Sequence, residues 1–320
     1  MPGIVRDETP LAQDKTVRKT DIYRLQQSCY DDSSYTTTVS EIAVRACHRA
    51  PLPASPRRHR TPTQRAGMWE IYNTLIDAVP PESKVRDCLA GLHWFAVRSE
   101  GTGLAMTPRE GTSCLSGAGK IAGMRTRDLA ASSKSWNFYE AALGLAAINS
   151  ALNAGTSIER GAALCSGQQR DEDIFTYLLD EFRGKKVAVV GHFRNLERVQ
   201  AVCDLSILER LPQPGDFPDP ACEWILPEQD FVVITATTLI NKTLPRLLEL
   251  SRNARVVLAG PSTPLTPKLF DFGIDILGGL VVEDESRVWT VIQEGGQHQI
   301  FGNGSRMVKL SRGSAACEVA

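Results

Sequence analysis

Residues 230–264 read DFVVITATTLINKTLPRLLELSRNARVVLAGPSTPL, and this stretch decides the fold class. Two apolar runs, Phe231–Thr235 and Arg255–Ala259, have the length and the β-branched content of buried strands. A leucine-rich helical segment separates them, so the stretch predicts a strand–helix–strand unit of a parallel sheet. A polar loop follows each strand. Open parallel sheets bind ligands just beyond the carboxyl ends of their strands, so both loops are candidate ligand contacts.

The two loops carry small polar groups and little charge. Hydroxyl, amide and glycine positions can hydrogen-bond a polar ligand without adding bulk. From the first loop we expect Thr235, Thr237, Thr238 and Asn241 to contribute, and from the second Gly260, Pro261, Ser262 and Thr263.

The alternation of strands and helices extends from residue 185 to the C-terminal region. It predicts further strands at Lys186–Val190, Leu205–Leu208 and Ile274–Leu277, the last ending at a glycine pair, and a closing helix at Glu283–Gln293. Residues 67–155 instead predict one helix, three short strands and two helices, which is an α+β arrangement. The fold class is therefore α/β, a Rossmann-like parallel sheet domain preceded by a small α+β domain.

Composition divides the chain into five predicted segments. Residues 1–66 carry 11 Lys/Arg and 7 Asp/Glu and are rich in proline, so we expect a disordered basic extension. The small domain at 67–155, a linker with a helix at 156–184, the Rossmann-like domain at 185–311 and a tail at 312–320 follow.

Charge, hydropathy and cysteine usage narrow the functional class. The net charge is −1, and the chain beyond residue 66 is mildly acidic, so we expect no nucleic-acid partner. No run approaches the ~20 apolar residues of a membrane span, and we expect no membrane partner. The eight cysteines are at least 18 residues apart and form no C-x-x-C pair, which favours a cytoplasmic location.

The segment VAVVGHF at 187–193 places a glycine at the end of a predicted first strand. A dinucleotide-binding turn has the pattern G-x-G-x-x-G, and here Phe193 and Leu196 replace its second and third glycines. Glu209 lies 18 residues beyond Gly191, where a ribose-binding carboxylate would lie. An S-adenosylmethionine or NAD enzyme is therefore one alternative, with Glu209 as its cofactor residue. A solvated carboxylate at the end of a strand is the other interpretation of Glu209.

Three further polar residues are candidates for the site. His192 follows Gly191 and could bind ligand, bind metal or transfer a proton, or it could cap the next helix. Glu140 and Asn149 lie on the otherwise apolar predicted helix Ser135–Asn153. Each either reaches the cleft between the domains or is buried with hydrogen-bond partners.

Three segments together resemble a known family: VVGHF at 189–193, TATTLINKTL at 235–244 and LAGPSTPLTPKLFDFGIDILGG at 258–279. They are similar to the putative heavy-metal chelation domain family, and FYEAALGLAAINSALN at 138–153 resembles the small domain that precedes it there. The resemblance covers residues 68–311. It implies a small domain with the fold of the enolase N-terminal domain, a Rossmann-like domain, and a site in the cleft between them.

The resemblance also implies a set of site residues and a ligand class. The matching positions are Glu140, Asn149, Gly191, His192, Phe193, Thr237, Asn241, Thr243, Gly260, Pro261, Ser262 and Thr263. The implied ligand is a divalent or heavy metal, or a metal chelate. The loop residues supply mainly hydroxyls and one amide, which recognise a polar organic molecule better than they coordinate a bare metal.

Three hypotheses follow. The first is a cytoplasmic protein that binds a polar small molecule or metal chelate between the two domains, with turnover left open. The second is the nucleotide-cofactor enzyme, and the third is a scaffold whose basic N-terminal arm recruits a partner. A homo-oligomer is compatible with all three.

Overall fold

Two β-sheets organise the computed structural model, which describes residues 67–111, 114–155 and 173–312. All of these residues belong to one unit of the chain. The expectations for residues 1–66, for the linker before residue 173 and for the tail beyond 312 lie outside the described residues. No described helix is long and apolar enough to cross a membrane.

The smaller sheet and its helices come first along the chain. Helix α1 spans Glu70–Ala78, and an antiparallel sheet follows with strands β1 (Asp87–Ala90), β2 (Trp94–Arg98) and β3 (Thr102–Met106) in that order. Helix α2 (Thr126–Ala130) leads through a 3-10 turn into the long helix α3 (Phe138–Leu152). This agrees with the predicted succession of one helix, three strands and two helices.

Helix α3 packs directly on β3 because glycine lets the two backbones meet. A Cβ atom on Gly103 would lie 1.9 Å from the backbone nitrogen of Ser150. Asn137 caps the start of the helix by accepting a hydrogen bond from the Tyr139 amide. The alternating side chains of β2 enter two different cores: Phe95 and Val97 pack with α3, and Trp94 and Ala96 pack with elements of the larger sheet.

The larger sheet has seven strands in the order β10-β9-β8-β7-β4-β5-β6. Its strands are β4 (Lys186–Val190), β5 (Asp204–Glu209), β6 (Phe217–Pro218), β7 (Phe231–Thr235), β8 (Arg255–Ala259), β9 (Ile276–Val282) and β10 (Ser305–Ser311). All neighbouring pairs are parallel except β9 with β10. Renumbered from the first parallel strand, the six parallel strands follow the order 3-2-1-4-5-6, which is that of dinucleotide-binding folds.

Short helices connect these strands. They are α4 (Ile174–Leu178), α5 (Leu196–Gln200), α6 (Cys222–Ile225), α7 (Leu244–Leu250) and α8 (Glu285–Gln293). Residues pointing to one face of the sheet, such as Val232 and Leu258, join the core that contains α1 and α3. Residues pointing to the other face, such as Val233 and Val257, pack with α4 and α5. The central strands are buried on both faces, which explains their continuous apolar runs.

The C-terminal part of the sheet differs from the sequence prediction in two ways. Strand β9 does not end at Leu277; it begins at Ile276 and continues through Gly278 and Gly279 to Val282. A Cβ atom on Gly279 would lie 2.9 Å from Leu265, so this glycine allows close packing instead of ending the strand. Strand β10 is an additional edge strand that the sequence prediction does not include, and most of its residues are only partly buried.

Candidate functional site

The larger sheet contains a topological switch point between β4 and β7. From β4 the chain proceeds to β5 and β6 on one side, and it returns through β7 to β8 and β9 on the other. In open sheets a crevice forms at the carboxyl ends of the two strands at such a point. Val190 pairs with Ile234 and Thr235 pairs with Ala259, so the ends of β4, β7 and β8 are side by side.

Glycine turns leave β4 and β8 at this edge. Gly191 has φ +102° and Gly260 has φ +110°, in the region that side-chain-bearing residues avoid. A Cβ atom on Gly191 would lie 2.9 Å from Cγ2 of Thr235, so the turn after β4 touches the end of β7. The ring of Phe193 lies next to both turns and packs edge-on against Phe175, with 5.2 Å between ring centroids.

The loop after β7 is tied together by its own hydroxyls. The Thr235 and Thr237 hydroxyls are 3.1 Å apart, and the Thr238 hydroxyl donates to the carbonyl of Thr235 at 2.6 Å. Further along, the hydroxyl of Thr243 donates to Oδ1 of Asn241 at 2.7 Å. Thr235, Thr237 and Asn241 remain partly exposed and Thr243 is exposed, so these side chains remain accessible from solvent.

The loop after β8 is fastened to the smaller sheet and α3. Oγ of Ser262 accepts a hydrogen bond from the Met106 amide at 2.9 Å. The Asn149 side-chain amide donates to the carbonyls of Leu104 and Ser262, at 2.8 and 3.0 Å. Asn149, Ser262 and Thr263 are buried, so these three predicted site residues join the two sheets. Oδ1 of Asn149 and Oγ1 of Thr263 are buried without a partner within the described ranges.

Asn153 makes the same junction, and the sequence interpretation missed it. Its side chain donates to the carbonyls of Thr263 and Leu280, and its Oδ1 accepts from the Leu265 amide at 2.8 Å. It lies one helical turn after Asn149, and that spacing was the available signal.

Glu140 has its partners elsewhere. Its carboxylate accepts hydrogen bonds from the hydroxyls of Ser116 and Ser135, at 2.6 and 2.7 Å. These bonds, first that of Ser116 and then that of Ser135, lower the pKa of the Glu140 carboxyl. None of its hydrogen bonds reaches the loops after β4, β7 or β8, so Glu140 is a separate feature at the start of α3.

His192 forms a pair with an aspartate that the sequence interpretation did not select. Nδ1 of His192 lies 3.0 Å from Oδ2 of Asp216, whose side chain is 3% exposed against 34% for His192. Asp216 immediately precedes β6, and this strand is only two residues long, too short to be predicted. Glu209 accepts a hydrogen bond from the His192 amide at 2.8 Å and further bonds from the Arg210 and Leu211 amides.

Basic groups from three segments lie near the turn after β4 that carries His192. The pKa of His298 is lowered by partial burial first, and then by the positive charge of Arg194 and by His93. Arg194 follows His192 by two residues. His93 and His298 approach because the Trp94 indole donates to the carbonyl of Gln297 at 2.8 Å.

An open groove of about 430 Å³ lies elsewhere, lined by Leu89–Leu92, Thr107, Tyr139 and Ile292–Gly295, and includes none of the predicted site residues.

The described side chains do not form a site for a bare metal ion. Within residues 67–111, 114–155 and 173–312, no three His, Cys, Asp or Glu side chains are placed to hold one together. His192 has one carboxylate beside it, and the second nearby carboxylate, Glu209, is engaged by backbone amides. A divalent or heavy metal needs several such ligands converging. The donor set of the described residues therefore does not fit direct metal capture.

Comparison with known proteins identifies the relatives of this chain. A crystal structure of a DUF364-family protein of unknown function from Desulfitobacterium hafniense is 40% identical, with a TM-score of 0.72, and the match covers 77% of this chain and 99% of that one. The chain belongs to the DUF364 family. Residues 173–311 match the DUF364 model and residues 72–152 match the DUF4213 model, and both models are described as putative heavy-metal chelation.

Two more distant relatives extend the comparison. A DUF364-family structure from Pyrococcus horikoshii is 20% identical with a TM-score of 0.65, covers 77% of this chain and 99% of its own, and shares the fold. An uncharacterised protein of Methanocaldococcus jannaschii is 28% identical over 180 residues, which is 54% of this chain and 66% of that protein. The chain thus spans just under two thirds of that curated relative.

Proposed function

We propose that this DUF364 protein is a cytoplasmic protein that binds a polar, anionic small molecule, including a metal already held by a chelator, at the switch point between β4 and β7. The observation that carries the proposal is the pair of positive-φ glycine turns, Gly191 and Gly260, at the ends of β4 and β8 on either side of Thr235. An added Cβ on Gly260 would have only Phe193 within 4 Å, at 3.9 Å, so a ligand can approach the backbone there, whereas the space beside Gly191 is occupied by Thr235.

One basic residue beside the switch point favours an anion. Arg194 lies two residues after His192, and it contributes to the lowered pKa of His298, which leaves that imidazole neutral at neutral pH. The carboxylate of Glu209 is engaged by three backbone amides. The threonine hydroxyls after β7 add neutral hydrogen-bonding groups. A chelated metal carries its own ligands and would need only hydrogen bonds and charge from the protein. A metal bound in this way agrees with the family description, and it does not require three His, Cys, Asp or Glu side chains to converge, which the described residues do not provide.

A nucleotide-cofactor enzyme is the second candidate, favoured by the 3-2-1-4-5-6 strand order with a glycine after the first strand. The amides bound to Glu209 leave little of its carboxylate for a ribose, and Phe193 occupies a position where dinucleotide turns have glycine. We therefore rank it below the chelate-binding function. A likeness of the small domain to the enolase N-terminal fold, and a scaffold role for residues 1–66, stay predictions.

Titration calorimetry of the full chain separates these functions. The probes are Ni²⁺ and Co²⁺ alone, the same ions with excess citrate, S-adenosylmethionine and NAD. We expect binding of the citrate complexes and weaker or no binding of the bare ions. Binding of NAD or S-adenosylmethionine alone would favour the second candidate.

The Gly191→Ala variant locates the site. Its Cβ atom would meet Thr235 at 2.9 Å, and φ +102° is unfavourable for alanine, so the turn must move. Gly273→Ala is the matched control, because Gly273 also has positive φ but has nothing within 4 Å of its added Cβ. Binding that is lost in Gly191→Ala and kept in Gly273→Ala supports a ligand site at the switch point. Equal affinity in both variants would place the ligand elsewhere.

A further inference from the structure

We infer that His192 and Asp216 form an acid–base pair. Asp216 is a positioning residue that holds the proton on Nδ1 of His192. The lone pair on Nε2 of His192 is then available to accept a proton from a bound ligand. The inference rests on the proposed function for the place of the ligand. It goes beyond that function because it assigns a proton-transfer step to the site.

The geometry of the pair supports this division of roles. The 3.0 Å contact joins Nδ1 to a carboxylate oxygen, and a carboxylate can only accept, so the ring nitrogen must donate. Oδ2 of Asp216 also accepts from the Gln213 amide at 2.9 Å, which keeps the carboxylate in place. In the neutral ring the other nitrogen, Nε2, is then unprotonated. Within the described ranges, Nε2 has no hydrogen-bond partner.

Burial separates the two members of the pair. The Asp216 side chain is almost fully enclosed, whereas about a third of the His192 side chain is exposed. A buried carboxylate that orients a partly exposed imidazole is the arrangement in which histidine acts as a general base, since the carboxylate also stabilises the imidazolium.

The backbone around His192 is fixed as well. Its amide donates to Glu209, at the end of the neighbouring strand β5, and Gly191 before it donates to the Leu208 carbonyl at 2.8 Å. His192 therefore sits on a rigid turn at the switch point and not on a loose loop. In the proposed step an acidic O–H of the ligand gives its proton to Nε2, the ligand keeps the electron pair, and the imidazolium is paired with Asp216.

The first test needs no ligand. Long-range ¹⁵N NMR of the full chain at about pH 9, where an ordinary histidine is neutral, reports which ring nitrogen carries the proton. We expect the Nδ1–H form for His192, and a shift of population towards Nε2–H in Asp216→Asn. Asp219→Asn is the matched control, because it makes the same change three residues away at a residue that does not contact His192.

Reaction with diethyl pyrocarbonate, followed site by site through peptide masses, gives the second readout. We expect the rate at His192 to fall by about tenfold or more in Asp216→Asn, with the rate at His298 unchanged. Should Asp216→Asn not fold, the wild-type tautomer still decides the question. An Nε2–H tautomer in the wild-type chain, or an unchanged rate at His192 in a folded Asp216→Asn variant, would overturn the inference. Neither readout depends on the chelate titrations, so this inference and the proposed function can fail separately.

Discussion

Replacing Lys242 by methionine should change how the stability of this protein depends on pH. Lys242 lies in the loop between β7 and α7 with only 6% of its surface exposed, and it forms no ion pair within the described ranges. Its amine donates to the carbonyl of Ile240 at 2.7 Å and lies 5.6 Å from the ring centre of Tyr72. Burial without a counter-charge lowers the pKa of the Lys242 amine to about 8.

The size of the effect follows from that pKa. An ordinary lysine has a pKa of 10.5, and each unit of difference corresponds to about 1.4 kcal/mol. The full difference would destabilise the folded protein at neutral pH by about 3 kcal/mol. Solvent that still reaches the amine screens part of it, so we expect about 2 kcal/mol.

The sign is fixed by proton binding. Between pH 8 and 10.5 the unfolded chain keeps the lysine proton and the folded chain has released it, so stability rises with pH across this window. Lys242→Met removes the titrating group and therefore this rise. The left-handed backbone at this position, φ +68°, strains lysine and methionine alike and cancels in the comparison.

Urea unfolding at several values between about pH 7 and about pH 10.5 measures the effect. The free energy of unfolding of the wild type minus that of Lys242→Met should increase by about 2 kcal/mol across the window. The control is Lys268→Met, the same substitution at an exposed lysine. Burial also raises the pKa values of the Cys203 and Cys222 thiols, which makes stability fall as pH rises. This contribution is the same in the wild type and the variant, so it cancels in the difference. A pH-independent difference for Lys242→Met would refute the reasoning.

Three further predictions concern the junction of the sheets and the start of α3. Gly103→Ala should lower the free energy of unfolding by about 3 kcal/mol, because its Cβ would meet the α3 backbone at 1.9 Å. Gly117→Ala, whose added Cβ would meet only Ile121 at 3.7 Å, should cost much less in the same urea titration. Asn153→Ala removes three hydrogen bonds between α3 and the larger sheet and should cost about 3 kcal/mol; a loss below about 1 kcal/mol in thermal and urea unfolding would contradict that role. Glu140→Gln should flatten the acid limb of the stability curve, since the lowered pKa of this carboxyl gives stability that is lost as pH falls below about 4.5; identical acid limbs for the two proteins would argue against it.

The sequence by itself determined the strands whose physical signal is local. Strands β4, β7 and β8 are buried on both faces, so each reads as a continuous β-branched run, and the loops that follow were recognisable from their polar composition. Helix α3 was equally clear from its apolar length. The adjacency of the ends of β4, β7 and β8 followed from the general rules of parallel sheets.

The tertiary structure alone decided which polar groups meet. Asn149 and Ser262 are 113 residues apart and Asp216 lies 24 residues after His192, and no local pattern encodes such contacts. Strands β6 and β10 exist because a neighbouring strand supplies their hydrogen bonds: β6 is only two residues long, and most residues of β10 are only partly buried. Local composition fixes where a chain can form strands and turns, whereas pairing between distant segments depends on the packing of the whole molecule.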